Sequence, residues 1–205
     1  EMDELRAFER DPRTDAIVRF WEYGAGGRHA YLYHWNVMQK LMFEFGVEDN
    51  PPLATSIYSS VSVSQYDAYI ATWDAKYFYL RIRPFQYDPE FTTVIPTPNH
   101  PSYPSAHSVS SMAVYAALAQ WFPSRSDDLM NIVSIISESR FWGGIHYRSD
   151  MAVGEVMGLQ IASKVMEPFE SSRMSIAYKH SDSSPVDMWP DTDCMNPRVY
   201  LCVLE

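Results

Sequence analysis

Three short stretches of this chain concentrate the residue types that can hold an anion and act on it. Residues 139–150 read SRFWGGIHYRSD: Arg140, then His146 six residues later, then Asp150 four beyond that. A histidine held by a carboxylate beside a fixed guanidinium suits an oxyanion, because the arginine grips oxygens while the imidazole reaches the central atom. Residues 76–84, KYFYLRIRP, set Lys76 and Arg83 seven apart. Seven residues are two helical turns, so the spacing predicts both cations on one face at the C-terminal end of a helix. Residues 104–107 are Pro104, Ser105, Ala106 and His107, and they open a helical pattern. Free N–H groups and the positive dipole end make a helix N-terminus a cradle for oxyanions. Taken singly, each stretch has a plainer reading: cations favoured by a helix dipole, a proline–serine cap with an incidental histidine, and a salt-bridged His146–Asp150 pair. Taken together they gather three cations in a chain whose net charge is −10, which argues against a surface accident.

The bulk properties bound what such a site can serve. At 205 residues the chain has room for one domain with a full core. The net charge of −10 excludes a basic nucleic-acid surface. No uninterrupted apolar run approaches a membrane span, and the most apolar window, 109–122, is broken by serines and Gln120. A soluble protein is expected. The sequence opens at Glu1 without a charged-then-apolar leader, which reads as a mature or trimmed form. Cys194 and Cys202 lie eight apart in the tail, as a small-loop disulfide or as free thiols, and without ligand-spaced partners for zinc.

Helical periodicity supplies the frame. Residues 1–13 are charged, contain Pro12 and read as an N-terminal arm. A short helix is expected from Thr14, stopped at the Gly24–Gly27 cluster, and a second over 29–45, ended by Gly46. Asn50-Pro51-Pro52 opens a long helix to about Arg81, whose apolar positions wrap most of its girth, so it is expected at the centre of the bundle. Residues 82–104 carry six prolines; long loops of that kind usually carry function. Helices are then expected over 105–121, from 126 to the paired glycines Gly143 and Gly144, and over 149–166. The prediction is an all-α bundle of five or six helices over 14–169, followed by a polar tail, 170–205. The arm and the tail are where contacts with a second copy are expected.

Lys-x6-Arg-Pro, Pro-Ser-x-His and Ser-Arg-x5-His-x3-Asp occur here in that order, as Lys76, Arg83, Pro84, Pro104, Ser105, His107, Ser139, Arg140, His146 and Asp150. This resembles the three-part motif of the vanadium-dependent haloperoxidase and type 2 phosphatidic acid phosphatase (PAP2) superfamily, with a departure at Ala106, where the family commonly has glycine. Alanine keeps the backbone N–H, so a tighter pocket is expected. The resemblance implies that Lys76, Arg83, Arg140, Ser105 and the Ala106 N–H hold vanadate or phosphate. In a haloperoxidase, it makes His146 the protein ligand to vanadium and His107 the acid–base for bound hydrogen peroxide. In a phosphatase, it makes His146 the nucleophile that forms a phosphohistidine, Asp150 its orienting group, and His107 the proton donor to the leaving alcohol.

The three stretches do not separate these activities. The segments ATWDAK (71–76), HWN (34–36) and TPNHPSYPSAHS (97–108) resemble bacterial haloperoxidase-like proteins. Trp73 matches a tryptophan on the halide side of fungal and bacterial haloperoxidases. His100 falls where algal bromoperoxidases have histidine and the fungal chloroperoxidase has phenylalanine. A haloperoxidase using bromide or iodide, peroxide and an organic acceptor is therefore expected ahead of a soluble phosphomonoesterase. An inactive oxyanion-binding or assembly module is the third reading. Taken alone, Trp73 on an apolar helix is more often core than halide pocket, His100 has the plainer reading of a solvent-exposed loop residue, and His29, His34 and His180 are read as structural or surface residues. Resemblance alone favours the periplasm or secretion.

Overall fold

Residues 106–121 contain no Asp, Glu, Lys or Arg, and a helix apolar around its whole girth belongs inside. The computed structural model describes residues 1–22 and 29–170. Among them are eight α-helices: α1 Met2–Ala7, α2 Pro12–Phe20, α3 Ala30–Glu44, α4 Pro51–Tyr79, α5 Pro84–Tyr87, α6 Ala106–Trp121, α7 Ser126–Trp142 and α8 Arg148–Met166. There is no strand among the described residues, so the fold is all-α as expected, and six helices have nine residues or more. The central helix is α6, which packs on α3, α4, α7 and α8. None of the described helices is long and apolar enough to cross a membrane.

The expected centre, α4, lies on the flank. Its buried face is Ile57 and Val61 with the stripe Ser60, Ser64, Ala68, Thr72 and Lys76, while Tyr66, Tyr77 and Phe78 face out. Small side chains let α4 approach α6 closely. Two of their hydroxyls are satisfied within the helix, Thr72 Oγ1 by the Ala68 carbonyl (2.6 Å) and Ser60 Oγ by the Ile57 carbonyl (3.0 Å). Counting apolar residues around the girth missed a face built of small polar ones.

The α6–α8 contact is closer still, because glycines face it from α8. A Cβ on Gly158 would stand 2.4 Å from the Val109 carbonyl oxygen, and one on Gly154 2.9 Å from Ser108 Cβ. This brings the first turn of α6 against the first turn of α8, and Ser105 N–H donates to the Asp150 carbonyl at 2.9 Å. The other approach to α8 is a tight turn: α7 ends at Trp142, Gly143 closes it, and Gly144 takes φ 74°.

The chain start differs from the expected arm. Asp11 caps α2 in a reciprocal box with Thr14, with Pro12 in the first turn, so α2 begins before Thr14. Helix α1 buries Met2 and Leu5 against Phe141, Tyr147 and Met151. Two apolar residues in a charged stretch are enough to dock it on α7 and α8. The Gly24–Gly27 stop, His180, Cys194, Cys202 and the tail beyond Glu170 lie outside the described residues.

Gly158→Ala should lower stability by about 1–3 kcal/mol, because its neighbour is a backbone carbonyl that cannot swing aside. A lower urea midpoint with an unchanged slope would register this. A midpoint equal to the parent's would show that α6 and α8 can separate freely.

Candidate active site

Lys76 sits in the last turn of α4 with no exposure. Leu80 then takes a left-handed conformation (φ 50°) and ends the helix, so Arg83 is not on the helical face that its spacing suggested. It follows the chain reversal, immediately before α5, and is also buried. Lys76 Nζ donates to the carbonyls of Pro101 (2.8 Å), Ser102 (3.0 Å) and Pro104 (2.6 Å), which uses its three hydrogens. Arg83 donates through Nη1 to the Ile145 carbonyl (2.6 Å) and to His146 Nε2 (3.0 Å), and through Nε to the His100 carbonyl (3.0 Å). Arg140, from the last turn of α7, reaches the Val18 carbonyl (2.9 Å) and Ser139 Oγ (3.0 Å). The two ends of the motif thus meet at His146.

His146 leaves the glycine turn with its ring aimed at Asp150 in the first turn of α8. Asp150 Oδ2 accepts from His146 Nδ1 (3.0 Å), Ser102 Oγ (2.5 Å) and Tyr147 N–H (3.0 Å), and Oδ1 accepts from Arg81 (3.0 Å). A carboxylate receiving that many donors acts as an acceptor only, so His146 Nδ1 carries the ring proton. Nε2 keeps a lone pair, which meets Arg83, a group that can only donate. Burial, then the charges of Arg83, Lys76 and Arg140, push the His146 pKa well below the usual histidine range. The ring is neutral, with its free nitrogen among cations: the form a ligand or nucleophile needs.

A cavity of about 520 Å³ opens beside it. Ala106, His107, Arg140 and His146 form its polar end. His107 Nε2 lies 2.9 Å from the Trp21 carbonyl, which can only accept, so Nδ1 holds the lone pair; burial and Arg140 hold its pKa well below normal. Tyr69, Trp73 and His100 also line the cavity. Trp73 is 38% exposed, its ring 5.1 Å from that of His100 and tilted at 44°, so it is a wall residue and not core. His100 Nδ1 lies 3.1 Å from Arg83 Nη2 and 3.3 Å from the Pro101 carbonyl. Burial, then Lys76 and Arg83, lowers the His100 pKa to about 4.

Lys76, Arg83 and Ser105 do not line the cavity; they stand behind its wall. Ser105 caps α6, its Oγ accepting from Ser108 N–H at 3.4 Å. Four participants escaped the sequence reading. Arg81 and Ser102 sit inside the quoted stretches and hold Asp150, and Glu22 and His29 line the cavity. His29 therefore does not belong with the surface histidines, whereas His34 is fully buried in the core. A serine or arginine that acts on a carboxylate 48 or 69 residues away leaves no local signal.

The donor set fits an oxyanion. Burial lowers the pKa of Lys76 to about 7, of Arg140 to about 9 and of Arg83 to about 10, with Arg83 adding to the shift of Lys76 and Asp150 opposing both lysine and arginine shifts there. Cations strained in this way are relieved by a multiply charged anion. Among the described residues, no group of three or more His, Cys, Asp or Glu gathers to hold a bare metal ion.

Comparison with known proteins agrees with this chemistry. The family model described as PAP2 superfamily matches residues 53–168. A solved structure, "Crystal structure of the first bacterial vanadium dependant iodoperoxidase", is similar with a TM-score of 0.65 and 25% identity over 81% of this chain. The similarity covers 45% of that protein, so this chain spans under half its length. No curated protein matches. With more than half of its residues inside the family match, and every cradle residue among them, the chain belongs to the PAP2 superfamily.

Proposed function

We propose that this chain is a vanadate-dependent haloperoxidase that oxidises bromide or iodide with hydrogen peroxide to hypohalous acid. The observation that carries the reading is the Trp73–His100 wall, which faces the same cavity as His107 and His146. Large, weakly hydrated halides lose little on meeting an aromatic wall, and His100 would offer them a donor in its Nε2–H form. The likeness to a bacterial vanadium-dependent iodoperoxidase supports the same choice.

His146 would hold the vanadate through Nε2, with Lys76, Arg83 and Arg140 neutralising its oxygens and the Ala106 N–H completing the cradle. Vanadate, when bound, supplies a Lewis acid that activates peroxide toward halide. His107 takes a peroxide proton at Nδ1 while its Nε2–H stays on the Trp21 carbonyl. Asp150 keeps the proton on His146 Nδ1 and so keeps Nε2 available. Tyr31, Tyr69 and Ile95 leave apolar room next to the site for an organic acceptor. Phosphate would meet the same cradle, and a phosphomonoesterase is the other activity that the residues could run.

Protein loaded with orthovanadate should brominate a phenolic dye in the presence of peroxide and bromide. Brisk hydrolysis of nitrophenyl phosphate, blocked by vanadate and with no halide oxidation, would replace this reading with the phosphatase one. His146→Ala should abolish vanadate binding. His107→Ala should bind vanadate and lose about 10²–10⁴-fold in turnover; equal turnover would remove His107 from proton transfer.

Lys76 sets a pH dependence. Unfolded, it keeps its proton up to the ordinary value of 10.5, whereas folded it sheds it near 7. Between those limits the fold binds fewer protons, so the penalty for the buried cation is full below about 7, shrinks as pH rises above it and is gone only beyond 10.5. Anion affinity runs the other way. Calorimetric affinity for sulfate, whose charge is constant in this range, should weaken above pH 7, by at most about tenfold per unit. Lys76→Met should flatten that fall, and an unaltered slope in the variant would assign it to another group.

A further inference from the structure

The Asp150 carboxylate divides its two oxygens between different tasks. Oδ2 takes the donors on the cradle side, His146 Nδ1, Ser102 Oγ and Tyr147 N–H. Oδ1 takes Arg81 Nη1 at 3.0 Å. Arg81 is in turn fixed from several sides. Nη1 also donates to Ser149 Oγ at 2.6 Å, Nη2 pairs with Glu1 at 2.6 Å, and the guanidinium lies 4.4 Å over the Tyr147 ring. Its main-chain carbonyl accepts from Ser102 N–H at 2.8 Å, so one backbone bond couples the two side chains that grip opposite oxygens of Asp150. The left-handed Leu80 turns the chain out of α4 and sets Arg81 facing α8 instead of continuing the helix.

We propose that Arg81 is a positioning residue for His146: by holding Asp150 Oδ1 it orients Oδ2 onto the imidazole Nδ1–H and fixes the tautomer that exposes Nε2. The inference rests on the reading of His146 as the group that meets the oxyanion. A carboxylate pinned at one oxygen cannot rotate about its last bond, and its remaining oxygen stays on the ring. Freed from Arg81, the carboxylate can turn so that Ser102 and the Tyr147 N–H keep Oδ2 at the expense of the ring, and Arg83 at Nε2 is then the one group on the ring that still opposes the other tautomer. Outer partners that orient a ligating histidine in this way act on affinity without touching the ligand.

The test reads the histidine directly. Ring ¹⁵N shifts of His146, assigned through their loss in His146→Ala, should report the Nδ1–H tautomer in the parent protein without added anion. Arg81→Met should give a mixture of tautomers and an orthovanadate dissociation constant about 10- to 100-fold higher. Arg81 also lines a second cavity of about 290 Å³, so free guanidinium added to Arg81→Ala should restore the parent tautomer and much of the affinity. A folded Arg81→Met with the parent tautomer and affinity overturns the proposal. If that variant does not fold, Arg81→Lys decides: one charge without the fork should shift the tautomer part-way, and an unchanged ring spectrum overturns the idea. Parent-like vanadate binding by His146→Ala would instead overturn the reading of His146, whatever Arg81 does to its tautomer.

Discussion

The structure depends on holding three basic groups, Lys76, Arg83 and Arg140, together out of water. All three are under 2% exposed, and among the described residues Asp150 is the one carboxylate buried with them. Buried charge persists only where other groups replace water. Here carbonyl oxygens do so: Pro101, Ser102 and Pro104 for Lys76, His100 and Ile145 for Arg83, and Val18 for Arg140. All of these but Val18 lie outside the helices, where a carbonyl has no intrahelical N–H to accept. The proline-rich run 82–104 prevents regular structure around Pro101 and Pro104, and so leaves their carbonyls free to face the cations. The long irregular loop and the buried cation cluster are two sides of one requirement.

Helix contact then fixes where the cluster meets its histidines. Gly154 lets the Ser105 carbonyl approach α8, since a Cβ there would lie 3.1 Å from that oxygen. The same approach allows the Ser105 N–H to bond the Asp150 carbonyl. The start of α6, carrying Ala106 and His107, is therefore tied to the start of α8, carrying Asp150. Gly144 sets the third member, His146: with φ 74° and Arg10 and Phe91 packed where a side chain would project, it accepts no Cβ. Packing in the core and aim in the site are governed by the same few glycines.

What the sequence made legible was local. Ser139 to Asp150 could be read as helix end, turn, and helix start because glycines and spacing report backbone geometry within a dozen residues. Most helix spans followed from periodicity. Errors arose where a local signal had two meanings or none. Lys76 and Arg83, seven apart, read as one helical face, but a left-handed leucine ended α4 between them, and leucine carries no such signature. The apolar positions around α4 read as a central helix, although serines and threonines that bond their own helix backbone also bury readily and form much of its buried face. Arg81, Ser102, Glu22 and His29 act only through contacts made by folding, and nothing in their neighbourhood in the chain announces them.

The two histidines are told apart by what accepts the N–H of each ring. His146 gives its proton to a carboxylate, which stabilises electron density on the opposite nitrogen and suits a lasting bond to an electrophilic centre. His107 gives its proton to a neutral carbonyl, which fixes the ring without adding charge. It also lies against Arg140, whose field disfavours a protonated ring. A base in that setting accepts a proton only briefly and returns it readily, which fits a role in passing protons to and from a bound small molecule. Exchanging the acceptors would exchange the roles. The division of work in the proposed reaction thus follows from Asp150 behind one ring and the Trp21 carbonyl behind the other, within one cage of cations.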